Sequence, residues 1–276
     1  MTELKRLMDS VSEKSVNTQK SYKTQYNKLH KLVEKDISET SEKKLLTIIM
    51  EQPNNNQKQA LINIAILVRR EQTLATTLLE DQREKLKGNL QEDVKAKNTV
   101  LKDTLPPYEE LIEYMNYLWD KNEWTDYIIN YLLIYYQTRN QDLIFDIVNK
   151  KKLTKDTDKN YMWLSPKKVV YTRNVYKTAT TYKQKVDVIT DPKFILAMRR
   201  VYACSSRGEE CGVMIPTLSQ VGYYVKKATY KALGEGNYVK IVINHFRNDF
   251  SMLKQISDNR GTSLDVMESN YDIEKV

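Results

Sequence analysis

Four positions in this chain pair a chemistry-bearing side chain with a setting that could use it. Arg139 follows an apolar helical stretch, Lys177 closes a β-branched extended stretch, Arg247 opens a helical pattern, and Tyr271 stands near the end of the sequence. Two guanidinium groups, an ammonium group and a phenol together suggest phosphoryl transfer without a metal. A phenol oxygen can attack a phosphodiester and hold the broken strand covalently. Guanidinium forks can grip the non-bridging oxygens on which negative charge grows. An amine whose pKa is lowered by neighbouring cations can pass a proton to the departing hydroxyl. Other chemistries are poorly supplied: there is no GxxxxGK[ST] loop and no GxGxxG turn, and His30 and His245 are the only histidines. Cys204 and Cys211 lack paired zinc-site spacing and are too few for a disulfide framework, so they read as two ordinary thiols.

Helices must position most of these groups. Tyr22, Tyr26, Leu29 and Val33 recur at steps of three and four, which puts them on one helical face. Further helical patterns cover 43–51, stopped by Pro53, then 57–72 and 73–97. The segment NTVLKDTLPP (98–107) carries turn formers and a double proline and reads as a linker. Helices are then expected over 108–120 and 124–137. The second is apolar nearly all round, so Tyr127, Tyr131, Tyr135 and Tyr136 read as core aromatics. KKVVYTRNVYK (168–177) and KVDVI (185–189), separated by TATTYKQ, read as a β-hairpin. Helical patterns return at 192–203 and 217–233 around the loop SSRGEECGVMIP. A short apolar run, 239–243, leads to a helix from about Asn244, and a last helix runs over 263–271.

The 276 residues suit two modest domains or one large one. Hydrophobic residues at 41% and charged residues at 29% exclude wholesale disorder. No run reaches the length of a membrane span, and the opening MTELKRLMDSVSEK is too charged for a signal peptide, so an intracellular protein is expected. The net charge of +8 is unevenly placed: residues 150–247 carry 20 basic and 7 acidic side chains, residues 105–149 carry 2 and 8. A basic block of that size, with apolar residues between the lysines, fits a surface that tracks phosphates. Lys150, Lys151 and Lys152 are candidate phosphate contacts, or simply a solvated run.

Four stretches carry a family resemblance. YYQTRNQDLIF (135–145) resembles the first arginine box of the tyrosine recombinase and phage integrase family, with Arg139 at its arginine. YKTATTYKQKVDV (176–188) is similar to the family's β-hairpin and puts its lysine at Lys177. INHFRNDF (243–250) resembles the HxxRH box, with Arg247 as second arginine. RGTSLDVMESNYD (260–272) resembles the tail box and puts the nucleophile at Tyr271, nine residues after Thr262. Asn244 stands where the family histidine falls and His245 is one residue out of register. Either could orient the phosphate or activate the tyrosine, and the choice between them stays open.

The resemblance implies a mainly α fold with a small β-sheet: a helical core-binding domain over 1–97, a linker over 98–107, and a mixed α/β catalytic domain over 108–276 that closes on DNA like a clamp. It implies a site-specific recombinase or integrase that cleaves and rejoins double-stranded DNA through a 3′-phosphotyrosyl intermediate, without cofactor or metal. It also implies self-association on DNA as a dimer or tetramer, and a virus, phage or other mobile element as source. Only five residues follow Tyr271, shorter than many relatives' docking tails. The competing readings are a type IB topoisomerase, a DNA-binding relative that has lost catalysis, and a structural adaptor. Each candidate also has a plainer role: Arg139 as a helix cap, Lys177 and Arg247 as surface cations, Tyr271 as packing.

Overall fold

The computed structural model describes residues 2–206 and 211–273, without the side chains of residues 152 and 153. Positions 207–210 of the expected loop, and the side chain of Lys152, lie outside the described residues. Contacts divide the chain into two compact units, Met1–Ala96 and Lys97–Val276.

The first unit consists of α1 (Glu3–Ser10), α2 (Val16–Val33), α3 (Glu42–Met50), α4 (Asn55–Glu71) and most of α5 (Thr77–Lys102). Ser15, Ser41 and Asn54 start α2, α3 and α4, each side chain accepting from the backbone N–H three residues on; such caps satisfy donors a helix start otherwise leaves open. Tyr26, Leu29 and Val33 are buried as their spacing predicts, against Leu45, Ile49, Leu61 and Ala65. α1 is not foreseen in the sequence. A buried carboxylate anchors it: Glu3 accepts from the Tyr26 hydroxyl (3.0 Å), Ile37 N (3.0 Å), Ser38 N (2.8 Å) and Gln72 Nε2 (3.3 Å). Burial, followed by the Glu3 charge, raises the Tyr26 pKa. α5 extends to Lys102 rather than ending near 97, because NTVLK continues the helical pattern and the chain breaks only ahead of Pro106 and Pro107.

The second unit holds α6 (Tyr108–Asp120), α7 (Trp124–Tyr135), β1 (Asp146–Val148), β2 (Tyr161–Leu164), β3 (Val169–Arg173), α8 (Ala179–Tyr182), β4 (Lys185–Ile189), α9 (Pro192–Ser205), β5 (Cys211–Val213), α10 (Leu218–Ala228), α11 (Glu235–His245), α12 (Phe250–Arg260) and α13 (Leu264–Tyr271). The architecture is mainly α with one small sheet. α7 is its central post, with Tyr127 through Ile134 all buried. Buried Asn130 is satisfied by donating to the carbonyls of Asp126 and Ala228, 2.8 Å each, and accepting from the Tyr238 hydroxyl. Tyr127 and Tyr131 are core residues as expected, whereas Tyr135, in the last turn, is 40% exposed.

The sheet runs β4-β3-β2-β1-β5; β1 and β2 are parallel and the other pairs antiparallel. The expected hairpin is β3–β4, with Val169 opposite Ile189 and Arg173 opposite Lys185. Its first strand ends at Arg173, so Lys177 lies in the connection and not on a strand. β1, β2 and β5 are three or four residues long, too short for a period-two signal to emerge. Two helical expectations also change. α10 stops at Ala228, and the apolar run 239–243 lies inside α11, where Tyr238, Val239, Ile241, Val242 and Ile243 are buried. A helix buried on most sides reads locally like a core strand.

Candidate active site

Arg139 owes its position to the way α7 ends. Gln137 takes a left-handed backbone (φ 42°), and Arg139 then caps a short turn, Asn140–Leu143, its N–H donating to Asp142 Oδ2 at 3.1 Å. Asp142 is 1% exposed, and burial raises its pKa. Arg173, equally buried, lies 3.8 Å from Asp142 and 2.8 Å from Asp187. It also donates to the carbonyl of Asn259 at 2.9 Å. One guanidinium group thus ties the hairpin to the Arg139 turn and to the end of α12.

α12 brings the other half. Asp249 caps its start, and Gly261 ends it in a left-handed conformation (φ 56°). A Cβ at Gly261 would meet the Thr178 hydroxyl at 2.6 Å, and that hydroxyl donates to the Gly261 carbonyl at 2.9 Å. The last residue of the helix, Arg260, is 2% exposed. Its Nη1 donates to the Gln137 carbonyl (3.0 Å), and its Nη2 donates to Glu235 Oε1 (2.7 Å) and to the Tyr271 hydroxyl oxygen (3.2 Å). The guanidinium lies over the Tyr271 ring, 5.1 Å from its centroid. Arg139 Nη1 donates to the Arg260 carbonyl, locking the two arginines together. Burial, then the charge of Arg260, lowers the Arg139 pKa; guanidinium stays charged regardless.

Arg139, Lys177, Glu235, Arg260 and Tyr271 line one cleft of about 560 Å³, with Asn140, Gln141 and the first turns of α10. Tyr271 reaches it because Ser263 caps α13 and because Met267 and the ring itself pack on Val239, Val242, Ile243 and Ile256. Asn244 touches Tyr271 through the backbone: its amide donates to the Lys240 carbonyl (2.7 Å) and the Tyr271 carbonyl (3.4 Å). The other two sequence candidates are elsewhere. His245 stacks on Tyr108 at 4.1 Å, with Nδ1 3.4 Å from Glu109. Arg247 is exposed in the turn after α11 and does not line the cleft. Of the basic run, Lys151 lies over the Trp163 ring at 5.9 Å.

The sequence reading therefore misses Arg260, Glu235 and Lys185. Arg260 stands directly before the glycine of the tail box, but an arginine ending a helix reads as a cation on the helix dipole. Glu235, in the stretch LGEGN, carries no signal. Lys185 lies outside the cleft lining, on the first residue of β4, with its ammonium on the carbonyls of Asp258 and Asn259 and 5.2 Å from the Tyr176 ring. Burial, then Arg173, lowers its pKa to about 8.

Among the described residues no group of three or more His, Cys, Asp or Glu side chains is placed to hold a metal ion, and no helix is long and apolar enough to cross a membrane. No protein-family model and no curated protein matches the chain. Among solved structures, the crystal structure of XerA recombinase aligns over 98% of this chain and 93% of its own, at 11% identity and a TM-score of 0.39. At that score and identity the likeness carries no functional argument.

Proposed function

We propose that this chain is a DNA strand transferase that breaks and rejoins double-stranded DNA through a 3′-phosphotyrosyl intermediate on Tyr271, without a metal, and so performs site-specific recombination. The observation that carries this reading is the hydrogen bond from a buried guanidinium group, Arg260, to the Tyr271 phenol oxygen, in a cleft that also holds Arg139 and Lys177. A cation donating to a phenol oxygen stabilises its phenolate and so favours attack. With three cations around it, the cleft suits a phosphodiester whose charge grows during the attack.

In this reading the Tyr271 oxygen forms a bond to phosphorus, the P–O5′ bond breaks, and Lys177 protonates the departing 5′ oxygen. Arg139 and Arg260 hold the non-bridging oxygens. Arg260 thus fills the role that the sequence resemblance gave to Arg247. Asn244 orients Tyr271 through its backbone, and His245 and Arg247 act outside the cleft. Rejoining to a partner strand needs at least two protomers on paired sites.

The test is a covalent trap: the full chain is incubated with randomised nicked duplexes that lose the leaving strand after cleavage. A DNA adduct on Tyr271, absent in Tyr271→Phe, is expected. Salt-sensitive binding with no adduct, even with paired sites, would leave a non-catalytic DNA-binding protein. Relaxation of supercoiled plasmid without paired sites would instead mark a topoisomerase.

A further inference from the structure

We propose that Glu235 is the proton acceptor for the Tyr271 hydroxyl, an assignment that rests on the nucleophilic role of Tyr271 proposed above. Attack by a phenol at neutral pH requires a base for its proton, since the unperturbed pKa is about 10. The histidine candidate is poorly placed for this. His245 is stacked on Tyr108 and does not line the cleft. Asn244 has no basic atom, and its amide is spent on two backbone carbonyls. Glu235 is the acidic side chain among the described residues that line the cleft.

Its geometry fits the task. Glu235 Oε1 and the Tyr271 oxygen accept from the same nitrogen, Arg260 Nη2, at 2.7 and 3.2 Å. Two oxygens bonded to one nitrogen lie close enough for a single water to bridge them and carry the proton. The phenol oxygen accepts from Arg260, so its own hydrogen is free to be given, and no acceptor for it is seen among the described residues. The other carboxylate oxygen, Oε2, accepts from the Asn140 N–H at 3.1 Å. That bond fixes the carboxylate beside the Arg139 turn and leaves lone pairs on both oxygens.

The step balances: the O–H proton passes to Glu235, the phenolate oxygen bonds to phosphorus, and the P–O5′ pair leaves with a proton from Lys177. After rejoining, Glu235 returns its proton to Tyr271.

The experiment measures the single-turnover rate of Tyr271 adduct formation with the full chain on nicked duplex, across pH. The charged and titratable groups facing Glu235 are Arg260 on α12, Tyr271 on α13, Arg139 and Lys177 across the cleft, and the buried carboxylate of Asp142 in the Arg139 turn. Glu235→Gln keeps an oxygen for the Arg260 and Asn140 bonds but cannot take the proton. It should slow the adduct by about 10²-fold or more, remove the fall in rate toward acid pH expected of the wild type, and leave duplex binding undiminished. In Glu235→Ala, added formate should restore part of the rate. A Glu235→Gln rate equal to wild type would overturn the proposal. So would a slowed variant that keeps the wild-type pH profile while formate fails to rescue Glu235→Ala, because that pattern belongs to a positioning residue. Failure of the wild type to form any Tyr271 adduct would be a distinct result, removing the nucleophile itself.

Discussion

The chemistry proposed for the cleft turns on which arginine stands beside Tyr271. Arg260 is buried, makes three side-chain hydrogen bonds and touches the phenol, while Arg247 is exposed and outside the cleft. Arg260→Lys keeps a charge but loses the planar fork that reaches the Gln137 carbonyl, Glu235 and Tyr271 together. It should lower the rate of adduct formation by about 10²- to 10³-fold. Arg247→Ala should change the rate from saturating DNA by roughly twofold or less, since a surface cation contributes to encounter rather than to chemistry. Single-turnover rates at saturating duplex check both. The reverse ranking would restore Arg247 to the site. The family resemblance singles out Arg139, Lys177 and Tyr271, all of which line the cleft. It passes over Arg260, whose importance arises from groups 25 residues back at Glu235 and more than a hundred back at Gln137 and Arg139.

At the scale of elements, the cleft depends on how the β3–β4 hairpin, the Arg139 turn and the end of α12 are held together. Arg173 is the common tie, with Asp142, Asp187 and the Asn259 carbonyl all on its guanidinium. Arg173→Met removes the cation but leaves Asp142 buried, and breaking one side of a buried pair costs about 3–5 kcal/mol. Urea unfolding should show that loss in the second unit, and a change under 1 kcal/mol would contradict it. Lys185 is the second tie, and it is pH-sensitive. Its folded pKa, about 8, lies below the ordinary 10.5 because of burial and then Arg173. The folded state releases that proton more readily than the unfolded chain does. Its contribution to stability is therefore absent below about pH 8, grows as pH rises above it, and is complete above the unfolded value. Relative to Lys185→Met, the wild type should gain thermal stability between pH 8 and 10, a window that ends where the buried tyrosines begin to titrate in the unfolded chain. Parallel melting temperatures across that window would show that Lys185 is not desolvated.

For the molecule as a whole, the distribution of charge matters more than its total. Residues 150–247, all in the second unit, hold 20 basic against 7 acidic side chains. If that surface follows a DNA backbone, each neutralised phosphate contributes about −0.9 to the slope of log K against log salt. Four or more contacts then give a slope near −4 or steeper. Titration of labelled duplex between 50 and 200 mM salt, a range over which such proteins lose orders of magnitude in affinity, checks this. A slope near −1 would place the lysines away from the DNA and weaken the strand-transfer reading at its first step.

The sequence by itself determined the larger helices, because apolar steps of three and four and the breaks at Pro53 and Pro106 are local facts. It also determined the β3–β4 hairpin, through β-branched residues flanking a polar connection, and it singled out three of the side chains that line the cleft. Tertiary structure decided the rest. The strands β1, β2 and β5 are too short to declare a period, and they exist through pairing with one another and with β3. The run 239–243 is helical because all its apolar residues find partners on α6, α7 and α13, which no window of sequence displays. The pairing of Arg260 with Tyr271 and Glu235 required α11, α12 and α13 to converge. A side chain's chemistry in this cleft is set by burial and by partners distant in sequence, and those are products of the completed fold.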